Sequence, residues 1–342
     1  MDKNAHENEV LDTTLPDDIA EDCKATGIGL LQIWLNEHDI KLPDTQEKNF
    51  YSSLAKGLET NVLTIDKLYE GIAEIEENSN KKIYLYAIDD VIEFQSDIKN
   101  IYKHLKLVFG ITLSSKNYVR SKPSNRSTFI YMYESDWILK IKYSETQFNM
   151  EADFETSSFK KTPDIVTILF VFNFNTGVVQ LRLDAPGNIH NHKNDEGKST
   201  EAAFENYYKN LLKELFPKVN FTELNLNGVA NYIATTEKNK FRINRGVTTI
   251  TNNAKQTFAS SSTKSDVRDL PEYEAAASKG LSIWRTEDLT GIWLAAMSEG
   301  ALKKDLFMRI SRKSSVIRVQ RGCLEKELNY GMDQIREIQE KI

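Results

Sequence analysis

The chain has 342 residues, 40% of them hydrophobic and 27% charged, with a formal net charge of −6. This composition describes an ordinary globular protein, longer than one core usually supports and with no global attraction to nucleic acid or an anionic membrane. Cys23 and Cys323 are its only cysteines and lack metal-ligand spacing, which argues against a disulfide framework and for a cytoplasmic location.

No apolar run approaches the roughly 20 residues that cross a bilayer. Met1–Glu9 is polar and acidic, unlike a leader peptide, so no membrane partner is expected. The patterns divide the chain into a mainly helical region, 1–110, and an antiparallel sheet core with a helix, 111–234. A polar loop or linker at 235–268 and a C-terminal module at 269–342 complete the division. The expected class is α+β.

In chain order, Pro16 suits the start of a short helix, and Ile28, Leu31, Trp34 and Leu35 form the stripe of a second. Asp44 or Thr45 can cap a third helix carrying Phe50, Leu54 and Leu58. Thr64 can cap a fourth carrying Leu68, Ile72 and Ile75. Ile83–Ile88 reads as a buried strand, followed by a helix using Ile98, Ile101, Leu105 and Val108 and closed by Gly110.

The least water-tolerant stretch is Ser127–Gly187. Thr128–Tyr133 and Trp137–Tyr143 are strand-like, and Phe148–Glu155 alternates apolar with acidic, placing Glu151, Asp153 and Glu155 on one face. Ile165–Phe174 is nearly all β-branched or aromatic, as in a strand covered on both sides. Asn175-Thr176-Gly177 turns it into Val178–Leu183, so a meander is expected.

Ser199 can cap a helix burying Phe204, Tyr208, Leu211, Leu212 and Leu215, which Pro217 stops. Thr235–Asp266 is rich in Thr, Asn, Ser and Lys, as in a linker. Beyond it, Asp269–Gly280 reads as a helix, and Leu289, Ile292, Trp293 and Met297 fit a second. Leu306–Ile310 and Val316–Gln320 form a hairpin around Ser311–Ser315. A last helix carries Leu324, Leu328, Gly331, Ile335, Ile338 and Ile342 at heptad spacing, a candidate self-association seam over 322–342.

The hairpin supplies the leading functional reading. Period two buries Leu306, Met308 and Ile310 and exposes Phe307 and Arg309. Arg318 and Arg321 lie on the return strand and at its exit, and Arg312 and Lys313 at the tip. Arginine forks suit phosphate, and a two-stranded ribbon fits a duplex groove. Arg242 and Arg245, and the loop with Lys116, Arg120, Lys122 and Arg126, are candidate extensions of the same surface.

The expected function is a cytoplasmic, non-catalytic nucleic-acid-binding protein, acting with a protein partner or as a homo-oligomer, with no cofactor. One alternative is a Mg²⁺-dependent nuclease or phosphoryl-transfer enzyme using Asp89 and Asp90, with Glu93 one turn on and Asp184, Glu151 or Asp153 as candidates to join them. Against it, Asp89 or Asp90 can simply cap the following helix, with Glu93 favouring its N-terminal dipole. A second alternative is an interaction subunit whose acidic face at Glu151, Asp153 and Glu155 meets a basic partner. Two weaker signals lie in one loop. Gly197-Lys198-Ser199-Thr200 imitates a phosphate-binding loop but has His192 where the pattern needs glycine. His190 and His192 form a His-x-His pair without further zinc ligands nearby.

Overall fold

The computed structural model describes residues 15–43, 49–121, 126–135, 137–153, 158–184, 198, 200–249, 255–260, 262–280, 285–312 and 315–342. Two compact units divide the chain, one of residues 1–75 and the other of residues 76–342. The first contains α1 (Asp17–Thr26), α2 (Ile28–Glu37), α3 (Phe50–Glu59) and most of α4 (Ile65–Asn78). All four helices form where expected, α2, α3 and α4 carrying the predicted stripes, and Thr64 caps α4 by accepting from the Lys67 N–H at 3.2 Å. Asp44 and Thr45 lie outside the described residues. Trp34 is fully buried and donates its indole N–H to Glu74 at 2.9 Å, so its one polar atom is satisfied.

The second unit is built on one antiparallel sheet. In chain order it contains β1 (Lys81–Ile88), α5 (Val91–Ser96), α6 (Ile98–Phe109), β2 (Thr128–Glu134), β3 (Ile138–Asp153), β4 (Ser158–Asn173) and β5 (Val178–Asp184). There follow α7 (Glu201–Leu215), β6 (Phe221–Glu223), α8 (Asn227–Thr235), β7 (Phe241–Thr249), β8 (Lys255–Ala259) and α9 (Pro271–Gly280). The last elements are β9 (Arg285–Trp293), β10 (Leu306–Ser311), β11 (Val316–Val319) and α10 (Glu325–Lys341). The strand order is β2-β3-β4-β5-β1-β11-β10-β9-β7-β8, with β6 pairing on β1 beyond the end of β11. This is the expected α+β class, with β2 to β5 as the meander.

The turn chemistry behaves as predicted where it is local. Gly177 takes a φ of 66° between β4 and β5, and Gly110 closes α6 with a φ of 67°. Phe148–Asp153 is strand, as its alternation suggests, and forms the outer end of β3. Non-local pairing overrode two readings. Much of the expected linker is sheet, since Phe241–Thr249 pairs with both β8 and β9. Leu289, Ile292 and Trp293 belong to strand β9, because a short apolar run fits either period and here both of its edges find partners.

Two features of the C-terminal end depend on what the hairpin and the last helix pack against. The basic hairpin is not a projecting ribbon: β10 is paired with β9 as well as β11, and β11 with β1. The heptad seam is consumed within its own unit. Leu324, Leu328, Ile335 and Ile338 are buried, and a Cβ at Gly331 would come within 2.8 Å of the Met308 sulfur.

Residues directly opposite on antiparallel strands share a face, so the register can be followed across the whole sheet. One row runs Tyr143, Ile168, Leu183, Lys82, Arg318, Arg309, Thr290, Arg245. The adjacent row, on the other face, runs Lys142, Leu169, Arg182, Ile83, Ile317, Ile310, Leu289, Gly246. Each face changes character at β1. The first is apolar from β2 to β5 and packs with Phe94, Leu105, Phe204, Tyr208 and Leu212 of α5–α7. The second is apolar from β1 to β8 and packs with Val229 and Ile233 of α8, Tyr273 of α9 and Leu328 and Ile335 of α10.

The close approach of β7 and β9 gives a test. A Cβ on Gly291 would overlap the Phe241 ring and the Arg242 carbonyl oxygen, and the backbone cannot step aside inside a paired strand. Gly291→Ala is expected to cost about 3 kcal/mol in urea unfolding of the sheet unit. A midpoint and slope equal to those of the parent chain would contradict this packing.

Candidate nucleic-acid interface

The polar half of each face is solved differently. On the second face Lys81, Lys140, Lys142 and Arg182 are buried. Ionised groups taken from water need partners at close range. Lys142 meets Glu77 at 3.1 Å and donates to the Val119 carbonyl at 2.7 Å, while Lys140 meets Glu325 at 2.8 Å. Lys81 pairs with Asp184, and Arg182 donates to Asn78 and, at 2.9 Å, to Gln180. Tyr131 donates to Glu77 at 3.0 Å. The result is a buried network between the sheet, the last turn of α4, the 117–121 segment and the start of α10.

Its carboxylates do not all respond alike. Burial pushes Glu77 and Asp184 up despite their lysines. Burial also works against Glu76 and Glu325, but Lys142 with two hydroxyls, and Lys140 with Arg182, outweigh it and hold both below the usual glutamate range.

The first face is different, because its polar half remains accessible. A bulge between Ile243 and Arg245 lets Arg242 and Arg245 point the same way, opposite Ile292 and Thr290. Phe307 pairs with Ile292 and Arg309 with Thr290, so Arg242, Arg245, Phe307, Arg309 and Arg318 share one surface. Arg321 joins them, its guanidinium carbon 3.6 Å from the centre of the Phe307 ring. Adjacent strands lie about 4.8 Å apart, so the patch from β11 to β7 spans roughly 15 Å.

Part of this charge is answered internally. Arg309 donates its Nε–H to both oxygens of Asp288 at 2.8 and 2.9 Å, and these hydrogen bonds raise its pKa further. Arg312 donates to Glu287 at 2.8 Å, and Arg318 approaches Glu201 only at 3.7 Å. Lys82 is held by Glu201 and Glu205. Arg242 reaches the Thr263 carbonyl at 3.1 Å. Arg245 and Arg321 are exposed and make no ion pair among the described residues. Arg309 and Arg312 are therefore largely structural, while Arg242, Arg245, Arg318 and Arg321 keep capacity for an outside anion.

The other sequence candidates fall elsewhere. The loop with Lys116 and Arg120 is anchored through Tyr118 to Glu325 and through Ser121 to Thr167, on the opposite face of the sheet. Arg126 precedes β2, the far edge strand. They do not extend the arginine surface. Lys122, Lys313, His190 and His192 lie outside the described residues, as do the side chains of Glu151, Asp153 and Glu155.

Asp89 and Asp184 do not meet. Asp184 faces Lys81 at one end of β1 and Asp89 follows its other end, roughly 25 Å away. Asp90 caps α5 by accepting from the Glu93 N–H at 2.8 Å, and Asp89 accepts from Thr222 at 3.0 Å. Asp90, Glu93, Asp97 and His104 line a cavity of about 270 Å³ floored by Phe94 and Phe216. Among the described residues no three His, Cys, Asp or Glu side chains converge as a metal site would require. No described helix is long and apolar enough to cross a membrane. No protein-family model matches the chain, and no curated protein matches it in sequence.

The buried network predicts an acid response. A carboxyl with a lowered folded pKa stabilises the fold above its unfolded value, and that stability is lost as pH falls through the folded one. Glu325→Gln removes one such group, so its urea midpoint should fall less than the parent's between about pH 5 and about pH 3. Parallel losses in both proteins would mean that Glu325 is not held charged by Lys140 and Arg182.

Proposed function

We propose that the chain is a cytoplasmic, non-catalytic protein that binds nucleic acid on the open sheet face of β11, β10, β9 and β7. The observation that carries this reading is the alignment of Arg242, Arg245, Arg318 and Arg321 on one accessible surface of a chain whose net charge is −6. Arginine is suited to such a role because its planar fork pairs two donors with phosphate oxygens and it stays charged at any physiological pH. Phosphate contact of this kind supplies affinity without sequence information and weakens with salt.

The strand pairing supports contact on the flat of the sheet. With both edges of β10 and β11 already paired, no ribbon is left to enter a groove, so contact falls on the flat of the sheet. Carboxylates at Asp288 and Glu201 border the patch and limit its attraction for anions in general. These neighbours favour a ligand that presents several phosphates at once over a lone anion.

The test is anisotropy of labelled DNA and RNA across a salt series. The logarithm of affinity should fall linearly with that of salt, and Arg245→Ala and Arg321→Ala should each reduce the slope by about one. Lys116→Ala, on the opposite face, should leave it unchanged. Equal competition by polyglutamate, or no binding at low salt, would sink the reading.

A further inference from the structure

Resting on that reading, we infer that the ligand is single-stranded nucleic acid and that a base stacks at the Phe307–Arg321 pair. A phosphate-binding face needs only cations. This one sets an aromatic ring among them, half-buried on β10, with the Arg321 guanidinium lying over it at 3.6 Å. Phe307 stands between Arg242 and Ile292 on one side and Gln320, at the exit of β11, on the other, two positions along its own strand from Arg309. A planar cation on a ring is a stacking platform, since bases lie on aromatic rings and on guanidinium planes alike. Phosphates of the same strand then fall within reach of Arg242, Arg245 and Arg318.

A duplex cannot use this platform. Its bases are already stacked and paired, and its grooves call for a projecting helix or ribbon, which this sheet does not offer. Single strands supply splayed bases that lie flat on a sheet, and every base has a π-face, so the site is expected to be tolerant of sequence.

The experiment compares four probes of equal length at one salt concentration: single-stranded DNA, single-stranded RNA, the DNA duplex and an abasic deoxyribose-phosphate strand. Both single strands should bind at least about tenfold tighter than the duplex and the abasic strand. Arg321→Lys keeps the charge and loses the plane, and Phe307→Leu keeps the apolar contact and loses the ring. Each should erase most of that preference while the abasic strand binds as before. A difference between RNA and DNA would identify which source the site favours. Equal binding of abasic and base-bearing strands, or an undiminished preference in both variants, overturns the stacking proposal and leaves phosphate binding standing. Failure of all four probes to bind ends both.

Discussion

Lys81 and Lys82 are neighbours on β1 and therefore point to opposite faces of the sheet. Lys81 is sealed against Asp184 inside the second face, and Lys82 is held by Glu201 and Glu205 on the first. Both lysines are nearly inaccessible, and isolated charges could not be kept there. Their pairing marks the line where each face of the sheet exchanges apolar for charged character. The rest of the unit follows from that exchange, because helices must cover the apolar half of each face. Helices α5–α7 therefore gather over one half and α8–α10 over the other.

The two charged halves then meet different fates. On the second face, α4, the 117–121 segment and α10 bring Glu76, Glu77 and Glu325 to the buried cations, and the network becomes interior. On the first, no carboxylate among the described residues is paired with Arg245 or Arg321. The same residue types thus make a structural core on one side and a reactive surface on the other, and the count of nearby carboxylates decides which. Removing one partner from a buried pair typically costs about 3–5 kcal/mol, whereas exposed arginines contribute little to stability. Arginines on the open face are consequently the ones that can serve a ligand without cost to the fold.

How much of this was legible in the sequence depends on distance along the chain. The helices of the first unit, the Asn175–Gly177 turn, the Gly110 cap and the inward set Leu306, Met308 and Ile310 were readable, because each rests on local spacing. The pairing of β11 with β1 joins residues far apart and leaves no local signature, so the hairpin read as a separate module. Lys140-Ile141-Lys142 alternates like a half-exposed strand, and only the distant Glu77 and Glu325 reveal that its lysines point inward. Arg309 and Arg312 stand out as candidates for the same reason, because their partners Asp288 and Glu287 lie on the separate strand β9 and meet them only across the sheet. Phe307 was recognisable as outward-facing, but its partnership with Arg321 needed coordinates.

The cationic half of the first face, which keeps Arg245 and Arg321 exposed, is the surface proposed to take a polyanion. Arginine-selective labelling with phenylglyoxal, read by peptide mass spectrometry with and without a single-stranded oligonucleotide, tests it most directly. Arg242, Arg245, Arg318 and Arg321 should be modified in the unliganded protein and protected by the oligonucleotide, while Arg120 on the opposite face should be indifferent to it. Labelling of those four that the oligonucleotide leaves unchanged, or protection confined to Arg120 and Arg126, would contradict it.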